Sequence, residues 1–259
     1  MGSLRSTSTN TASVSTTCTV TKPAGTALGD ILIAAIGKST TATPSGVPAG
    51  WAVAATASST VKSTVGAIGN LVQNGCGFYW KEAGGSEPAD YTWTSILSEW
   101  IVTILCFQDI VIPLRTGAGA VYGPALFDVA SAITRTGTAL SNGGRSPGWQ
   151  DTQYDHYWYI TAPAISDVAA TRTLSALTGV ANTVTNNALL GISMIVGYDE
   201  LDFAALSDSP VTPEVSCTID SAAGSARGFS FVMADPIARP GLKPRRPIRR
   251  RPPLSQVAI

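Results

Sequence analysis

The residue with the clearest potential for chemistry is His156, the only histidine of the chain, which lies beside Asp155 in the segment YDHYWY. A histidine held by an aspartate forms half of the Ser-His-Asp arrangement of nucleophilic catalysis. The chain has no GxSxG segment to mark a nucleophilic serine. A structural or surface histidine among aromatic residues is therefore the preferred interpretation. The sequence predicts no catalytic residue and a protein that is not an enzyme.

The four cysteines show no metal-binding spacing, since no two of them form a CxxC pair; they are Cys18, Cys76, Cys106 and Cys217. One histidine and four scattered cysteines exclude the ordinary zinc ligand sets. Each cysteine lies in an apolar or Thr/Ser-rich segment, which favours buried free thiols. A disulfide between facing strands stays open as the alternative, because spacing alone does not determine pairing.

A cluster of carboxylates in YDELDFAALSDS is the one segment with calcium-like chemistry, and it holds Asp199, Glu200, Asp202 and Asp208. It lacks the glycine spacing of an EF-hand, so a solvated acidic loop is favoured. No GxxxxGK phosphate-binding loop is present either. The sequence thus predicts no metal site and no cofactor.

The strongest charge feature is the segment RPGLKPRRPIRRR, which contains no acid; its basic residues are Arg239, Lys243, Arg245, Arg246, Arg249, Arg250 and Arg251. Of the 17 basic and 17 acidic residues in the chain, 10 basic and all 17 acidic ones precede this segment. Interspersed prolines exclude a regular helix or a central strand. We expect an extended, positively charged arm over residues 239–259 that contacts an acidic partner or nucleic acid. A solvated, disordered tail is the alternative.

An aromatic block is the best candidate for a recognition surface, and it comprises Tyr154, His156, Tyr157, Trp158 and Tyr159. On a strand, successive side chains alternate between faces, so at least two rings would point outward. Exposed rings mark protein interfaces or sugar-binding platforms. In the competing interpretation, both faces of the strand are buried between a sheet and a loop.

Composition favours an all-β fold. Charged residues are only 13% of the chain and hydrophobic residues 44%, and many residues are β-branched, which is typical of strands joined by short turns. We predict an antiparallel β-sandwich or jelly roll of ten to twelve strands over residues 1–238, with residues 115–180 as a candidate inserted subdomain. The predicted strands are Val14–Val20, Ile31–Ile36, Gly77–Lys81, Tyr91–Thr94, Trp100–Phe107, Phe127–Ile133, Tyr154–Ile160, Ala188–Val196 and Gly228–Met233. One helical turn is expected within Val180–Leu190.

Two further features bear on the location of the protein. The longest apolar runs are far shorter than the roughly 20 residues that a membrane helix requires. The first residues, MGSLRSTSTNTASVSTT, lack the apolar centre of a secretory signal. We therefore expect a protein that is made in the cytoplasm and does not span a membrane.

The first half of the chain contains a series of short motifs in a fixed order. They are KPAG at 22–25, GDILIA at 29–34, PAGW at 48–51, YWKEA at 79–83, EP at 87–88 and YTWT at 91–94. This order resembles a group of β-sandwich proteins of tailed phages and prophages with the outline KPxGxxxGDxLxA…GW…YxKxAxxxEPxxYxW. The resemblance covers residues 10–110 well and 185–236 loosely, where GFSFVMADP resembles the final strand of the group. It does not extend to residues 115–180 or the basic arm.

The same residues have a physical interpretation that needs no family. Gly29 and Asp30 form a turn that begins a buried strand, and Trp51 and Trp93 suit the core of a sandwich. Glu87-Pro88 fixes a turn between two strands. The alternative is an aromatic sugar-binding face built from Trp80, Trp93 or Trp100.

The resemblance implies a virion structural protein, most often a minor tail protein, located in the particle after assembly in the host cytoplasm. Its expected partners are other virion proteins, including further copies of itself, and an acidic neighbour for the arm. Two alternatives stay open: a capsid decoration protein, for which nucleic acid would be a partner, and a module that binds a host-surface glycan.

Overall fold

The structure is a computed structural model, and it describes residues 2–53, 72–73, 76–110, 116–117, 120–121, 126–132, 134–142, 156–202 and 215–235. Within these ranges the chain is all-β and every strand pairing is antiparallel. No helix occurs among them, so none is present that could span a membrane. The predicted fold class is confirmed at this level. The basic arm lies outside the described residues.

The strands follow one another as β1 (Ser3–Thr21), β2 (Ile31–Lys38), β3 (Ala52–Val53), β4 (Val72–Gln73), β5 (Cys76–Glu82), β6 (Asp90–Gln108), β7 (Thr116–Gly117), β8 (Ala120–Val121), β9 (Leu126–Ala132), β10 (Thr134–Thr136), β11 (Ala139–Asn142), β12 (His156–Ser166), β13 (Leu174–Thr178), β14 (Asn182–Leu189), β15 (Ile192–Asp202), β16 (Val215–Ile219) and β17 (Ser225–Asp235).

These strands form three sheets and a small hairpin. The first sheet has the order β1-β6-β2-β5-β3, with β4 also paired to β5, and the second has the order β14-β15-β12-β17-β9. The third sheet has the order β10-β11-β16-β13, and β7 pairs with β8. Strands β9 and β12 lie in the second sheet with β15 and β17, so the segment 115–180 contributes directly to a sheet that later strands complete.

Strand β2 shows why its sequence is a continuous apolar run. Ile31, Ile33 and Ala35 lie in the core between the first and second sheets, together with residues such as Leu105 and Met194. The alternate residues Leu32, Ala34 and Ile36 lie in a second core on the opposite face of the first sheet. Both faces of the strand are buried, which removes the alternation between apolar and polar residues. The first two sheets therefore pack in a β-sandwich-like arrangement.

The second core is covered by the long β1–β6 ribbon, which bends back over its own sheet. Cys18, Val20, Tyr91 and Trp93, from one end of the ribbon, pack with Leu32 and other residues of the sheet interior. The pairing of β1 with β6 shifts register between Ala12 and Thr17, and such bulges bend strands. A smaller third core joins the second and third sheets through residues such as Ile165, Ile195 and Cys217.

Most predicted strands are found, with four differences. The two segments Tyr91–Thr94 and Trp100–Phe107 are parts of one strand, β6. The segment Ala188–Val196 is a hairpin rather than one strand, because Gly191, at φ +98°, forms the turn between β14 and β15. The helical turn predicted within Val180–Leu190 is wrong, since these residues contain the whole of β14. The described residues alone hold 17 strands, more than the ten to twelve expected.

Candidate interaction surface on the bent ribbon

Two rings of the aromatic block, Trp158 and Tyr159, are buried and therefore do not contribute to the expected recognition surface. Trp158 and Tyr159 point to opposite faces of β12 and both are buried, at 3% and 0% exposure. The second sheet is covered on one side by the first sheet and on the other by the third, which explains the burial of both rings. Tyr154 lies outside the described residues, and His156 and Tyr157 are placed only by their register in β12.

His156 pairs in register with Asp202 of β15 on one side and with Asp235 of β17 on the other. Its predicted neighbour Asp155 lies outside the described residues. Asp199, Glu200 and Asp202 lie in strand β15, so the predicted acidic loop is wrong for these three residues. Asp208 is outside the described ranges. In the described part of the chain no three His, Cys, Asp or Glu side chains are placed to hold a metal ion.

The proposed sugar-binding face is also not formed. Trp93 and Trp100 are fully buried, and Trp80 is half-buried against the core between the first and second sheets. Trp51 and Trp93 meet edge to face with ring centroids 5.3 Å apart, and Trp51 meets Tyr91 at 5.1 Å. Aromatic pairs in this geometry stabilise a core beyond their buried area. The predicted role of Trp51 and Trp93 as core anchors is confirmed.

Glu87 fixes the turn between β5 and β6. Its Oε2 lies 2.7 Å from Lys81 Nζ and accepts a hydrogen bond from Tyr91 Oη at 2.7 Å, and its Oε1 accepts from the Gly84 N–H at 2.6 Å. Burial raises the pKa of the Glu87 carboxyl, but the hydrogen bonds from Lys81, Tyr91 and Gly84 outweigh it and lower the pKa overall. The Tyr91 hydroxyl has a strongly raised pKa because it is buried beside this carboxylate.

Asp30 fixes the start of β2 in the same way. The Arg5 guanidinium donates to both carboxylate oxygens at 2.9 and 3.2 Å, and the Ala27 N–H donates to Oδ2 at 2.8 Å. The preceding Gly29 has φ +84°, a conformation that favours glycine. The GD and EP elements of the sequence pattern therefore hold turns, as predicted from their residue types.

A buried lysine at the end of β2 was missed by the sequence analysis. Lys38 is fully buried, and its Nζ donates to the Ala42 carbonyl at 2.7 Å and to Ser95 Oγ. The same ammonium group lies 4.6 Å from the centre of the Trp100 ring, a cation–π contact. The signal was available in the sequence, since Lys38 follows six apolar residues and Gly37 in the same strand, and a lysine is rarely found in a buried strand.

The Lys38–Ser95 pair has the residue types of a serine–lysine nucleophile, but its geometry is that of a structural contact. Lys38 is engaged by a carbonyl and an aromatic face, and Ser95 Oγ donates to the Thr43 carbonyl at 3.2 Å. Next to this pair, Ser39 bonds to Ser98 Oγ at 3.1 Å and to the Glu99 carboxylate. These contacts hold β6 at the point where it bends.

The bend exposes apolar side chains on the outside of the ribbon. Between the pairs Ser15–Ser98 and Thr17–Thr94, β1 advances two residues while β6 advances four. The extra residues include Ile96 and Leu97, which are 58% and 56% exposed, and nearby Val14 is 57% exposed with φ +44°. We call Val14, Ile96 and Leu97 the bend patch. Exposed apolar clusters of this kind occur at protein interfaces.

The first half of β1 is the second element of the candidate surface. Strand β1 lies at the end of the first sheet, so its outer side has no neighbouring strand among the described residues. Its side chains at Thr7, Thr9 and Thr11 are exposed. Neither this polar segment nor the bend patch is predicted from the sequence, because neither shows a regular alternation of apolar and polar residues.

The cysteines are buried free thiols, as predicted. Burial raises the pKa of Cys18 and Cys217 to about 12 and, together with the hydrogen bond to Asp30, that of Cys106 to about 11. Thiols of this kind are unreactive near neutral pH, since the thiolate is the nucleophile.

Comparison with protein-family models, curated proteins and solved structures found no match to this chain.

Proposed function

We propose that this chain is a structural protein of a tailed-phage particle, most specifically a minor tail or tail-tip component. In this role the β-sheets pack against neighbouring subunits, and the basic segment 239–259 docks on an acidic partner. The sequence pattern of residues 22–94 is what supports the assignment to a tailed-phage particle.

The observation that carries the assembly role is the place of the pattern residues in the fold. Asp30 and Glu87 each hold a turn through several hydrogen bonds, and Trp51 and Trp93 fill the second core. The pattern residues thus hold turns and fill a core, which are scaffold roles. A scaffold with an exposed edge and an apolar patch is suited to contacts with other proteins.

The glycan-binding alternative receives less support. Of the described tryptophans only Trp80 keeps partial exposure, so these rings provide no stacking platform. The capsid-decoration alternative differs from the tail proposal only in the place of the protein on the particle, and the experiment below separates them.

The test is to locate the protein on particles of the phage or prophage that encodes it. An epitope inserted after Gly137 suits immunogold labelling, because residues 136–139 form an exposed turn and a side chain at Gly137 would meet nothing within 4 Å. Gold at the tail end is the expected result. Gold over the head would replace the tail assignment with decoration. Absence of the protein from purified particles by mass spectrometry would refute the virion role.

The role of the arm is tested separately by two variants of the full chain. One lacks residues 239–259, and the other replaces the seven basic residues of the arm by glutamine while keeping its prolines. We expect both to lower incorporation into particles, because attraction to an acidic surface needs the charges. Normal incorporation of the glutamine variant alone would show that the arm docks through its apolar or proline residues instead.

A further inference from the structure

The outer edge of β1 is a run of regular backbone between two bulges, and no described strand pairs with it. From Ser6 to Ala12, seven consecutive residues pair one to one with β6, and the register shifts just before Ser6 and just after Ala12. No backbone hydrogen bond outside the pairing with β6 involves these residues in the described part of the chain. Half of their N–H and C=O groups therefore point away from the sheet.

The outward groups belong to the odd-numbered residues. The Thr11 N–H donates to Asn10 Oδ1 at 2.9 Å. In a central strand, the acceptor at this place would be a backbone carbonyl of the neighbouring strand. In an antiparallel pair the N–H and C=O of one residue point to the same side, and the side alternates along the strand. Thr7 and Thr9 accordingly share the outward direction of Thr11.

This stretch lacks the features that normally prevent edge pairing. Ser6–Ala12 contains no charged residue and no proline, which are the common guards of exposed edges. The nearest charge, Arg5, is bound to Asp30. Within the stretch, Asn10 Oδ1 accepts from one outward N–H group, and two side chains contact other segments of the chain: Asn10 Nδ2 donates to the Thr19 carbonyl at 2.7 Å and Ser6 Oγ to the Ala24 carbonyl at 2.6 Å.

We propose that two copies of this chain pair through Ser6–Ala12 as antiparallel edge strands, about a two-fold axis at Thr9. This register places Thr7 opposite Thr11 of the other copy, Ser8 opposite Asn10 and Thr9 opposite itself. It brings no like charges together, and it places β-branched threonines opposite each other, a favourable cross-strand pair. The three outward residues would form about six hydrogen bonds between copies. A two-fold pairing is closed, since it uses the same surface on both copies.

The proposed dimer adds a surface and a partner to the proposed assembly role. Its test uses the purified full-length chain, so the outcome does not depend on whether the protein is part of a phage particle. Sedimentation equilibrium across micromolar to millimolar concentrations measures the dimer constant of the unmodified chain. Two double variants then test the register: Thr7→Lys with Thr11→Lys, and Thr7→Lys with Thr11→Glu. Both sites are exposed and lie about 13 Å apart on one strand, so neither variant creates a close pair within a copy.

In the proposed register, the lysine–lysine variant opposes like charges at both symmetric positions, and the lysine–glutamate variant opposes unlike charges. We expect their dimer constants to differ roughly tenfold or more, with the lysine–lysine variant the weaker. Mixing the lysine–lysine variant with Thr7→Glu/Thr11→Glu should restore dimers. A chain that stays monomeric up to millimolar concentration would overturn the proposal. Equal dimer constants for the two variants would overturn the register and the edge as the interface. Circular dichroism of each variant confirms that the fold is intact.

Discussion

Replacement of Glu87 by glutamine should destabilise the protein more than its conservative shape suggests. The carboxylate accepts from three donors on its two oxygens: Lys81, Tyr91 and the Gly84 N–H. Glutamine has one acceptor oxygen, so no orientation of its amide satisfies all three. The loss of one charge-assisted hydrogen bond in a buried setting costs about 1.5–3 kcal/mol. Lys81 keeps some exposure and a carbonyl neighbour, Ala49, at 3.4 Å. We expect a loss of about 2 kcal/mol in the free energy of unfolding.

The pH dependence of this loss follows from the pKa of Glu87. The folded protein lowers that pKa, so the carboxylate form contributes stability above its pKa in the unfolded chain, about 4.5. This contribution disappears as the pH falls through the lower pKa of the folded state. The difference between wild type and Glu87→Gln should therefore be constant near pH 7, begin to shrink below about pH 4.5, and be smallest below the lower pKa of the folded state, where both side chains are neutral.

Urea unfolding followed by tryptophan fluorescence, at several pH values from neutral to acidic, measures both effects. The matched control is Glu82→Gln, because Glu82 is an exposed carboxylate at the end of β5, just before the turn that holds Glu87, and its change should stay within about 0.5 kcal/mol. A Glu87→Gln variant as stable as wild type at pH 7 would refute the reasoning. So would a loss that persists unchanged in acid, which would locate the effect in packing and not in charge.

Three further predictions concern the cores and the bend. Trp93→Ala should cost about 3–5 kcal/mol in urea unfolding, since the ring is fully buried, and Trp80→Ala clearly less. Gly191→Ala should cost about 1–3 kcal/mol, because Gly191 has φ +98° and a Cβ there would lie 3.0 Å from Glu99 Oε2; Gly85→Ala, with nothing within 4 Å, is the neutral control. Cys18 and Cys217, with pKa values raised to about 12, should resist a thiol reagent at pH 8 in the native protein and react after denaturation. If they react in the native protein as fast as an exposed thiol does, the result would contradict their burial.

The elements predicted best from sequence are those whose residues are all buried in a core or all lie in one turn. Strand β2 is apolar throughout because cores lie on both of its faces. Trp51 and Trp93 were identified as core anchors from their size, and Glu87 as a turn residue from its position before Pro88. Such features depend on local chemistry, which a single sequence carries.

Edge strands were the elements that sequence reasoning missed. The first half of β1 and most of β14 are polar, rich in serine, threonine and asparagine, and largely exposed. Their place in a sheet depends on backbone pairing with β6 and β15, which leaves no periodic apolar signature. The same limit explains the wrong prediction of a helical turn in Val180–Leu190.

The bend of β6 was missed for a different reason. Ser95–Glu99 interrupts the alternation of apolar residues, so the sequence predicted two strands where one continues through a bulge. The contacts that hold the bend join residues far apart in the chain, such as Lys38 with Ser95 and Ser39 with Glu99. The burial of Trp158 and Tyr159 agrees with the competing interpretation of the aromatic block, with a third sheet in place of the expected loop.

The bend also limits what the exposed edge can do. A straight strand of 19 residues with an open polar edge would be a template for continued pairing between chains. The register shifts around Val14 confine the regular part of this edge to Ser6–Ala12. A short edge that pairs with itself about a two-fold axis is fully used in a dimer, so growth stops there. In the proposed dimer the contacts of the buried Lys38 have a second role, because by holding the bend they keep the pairing edge short.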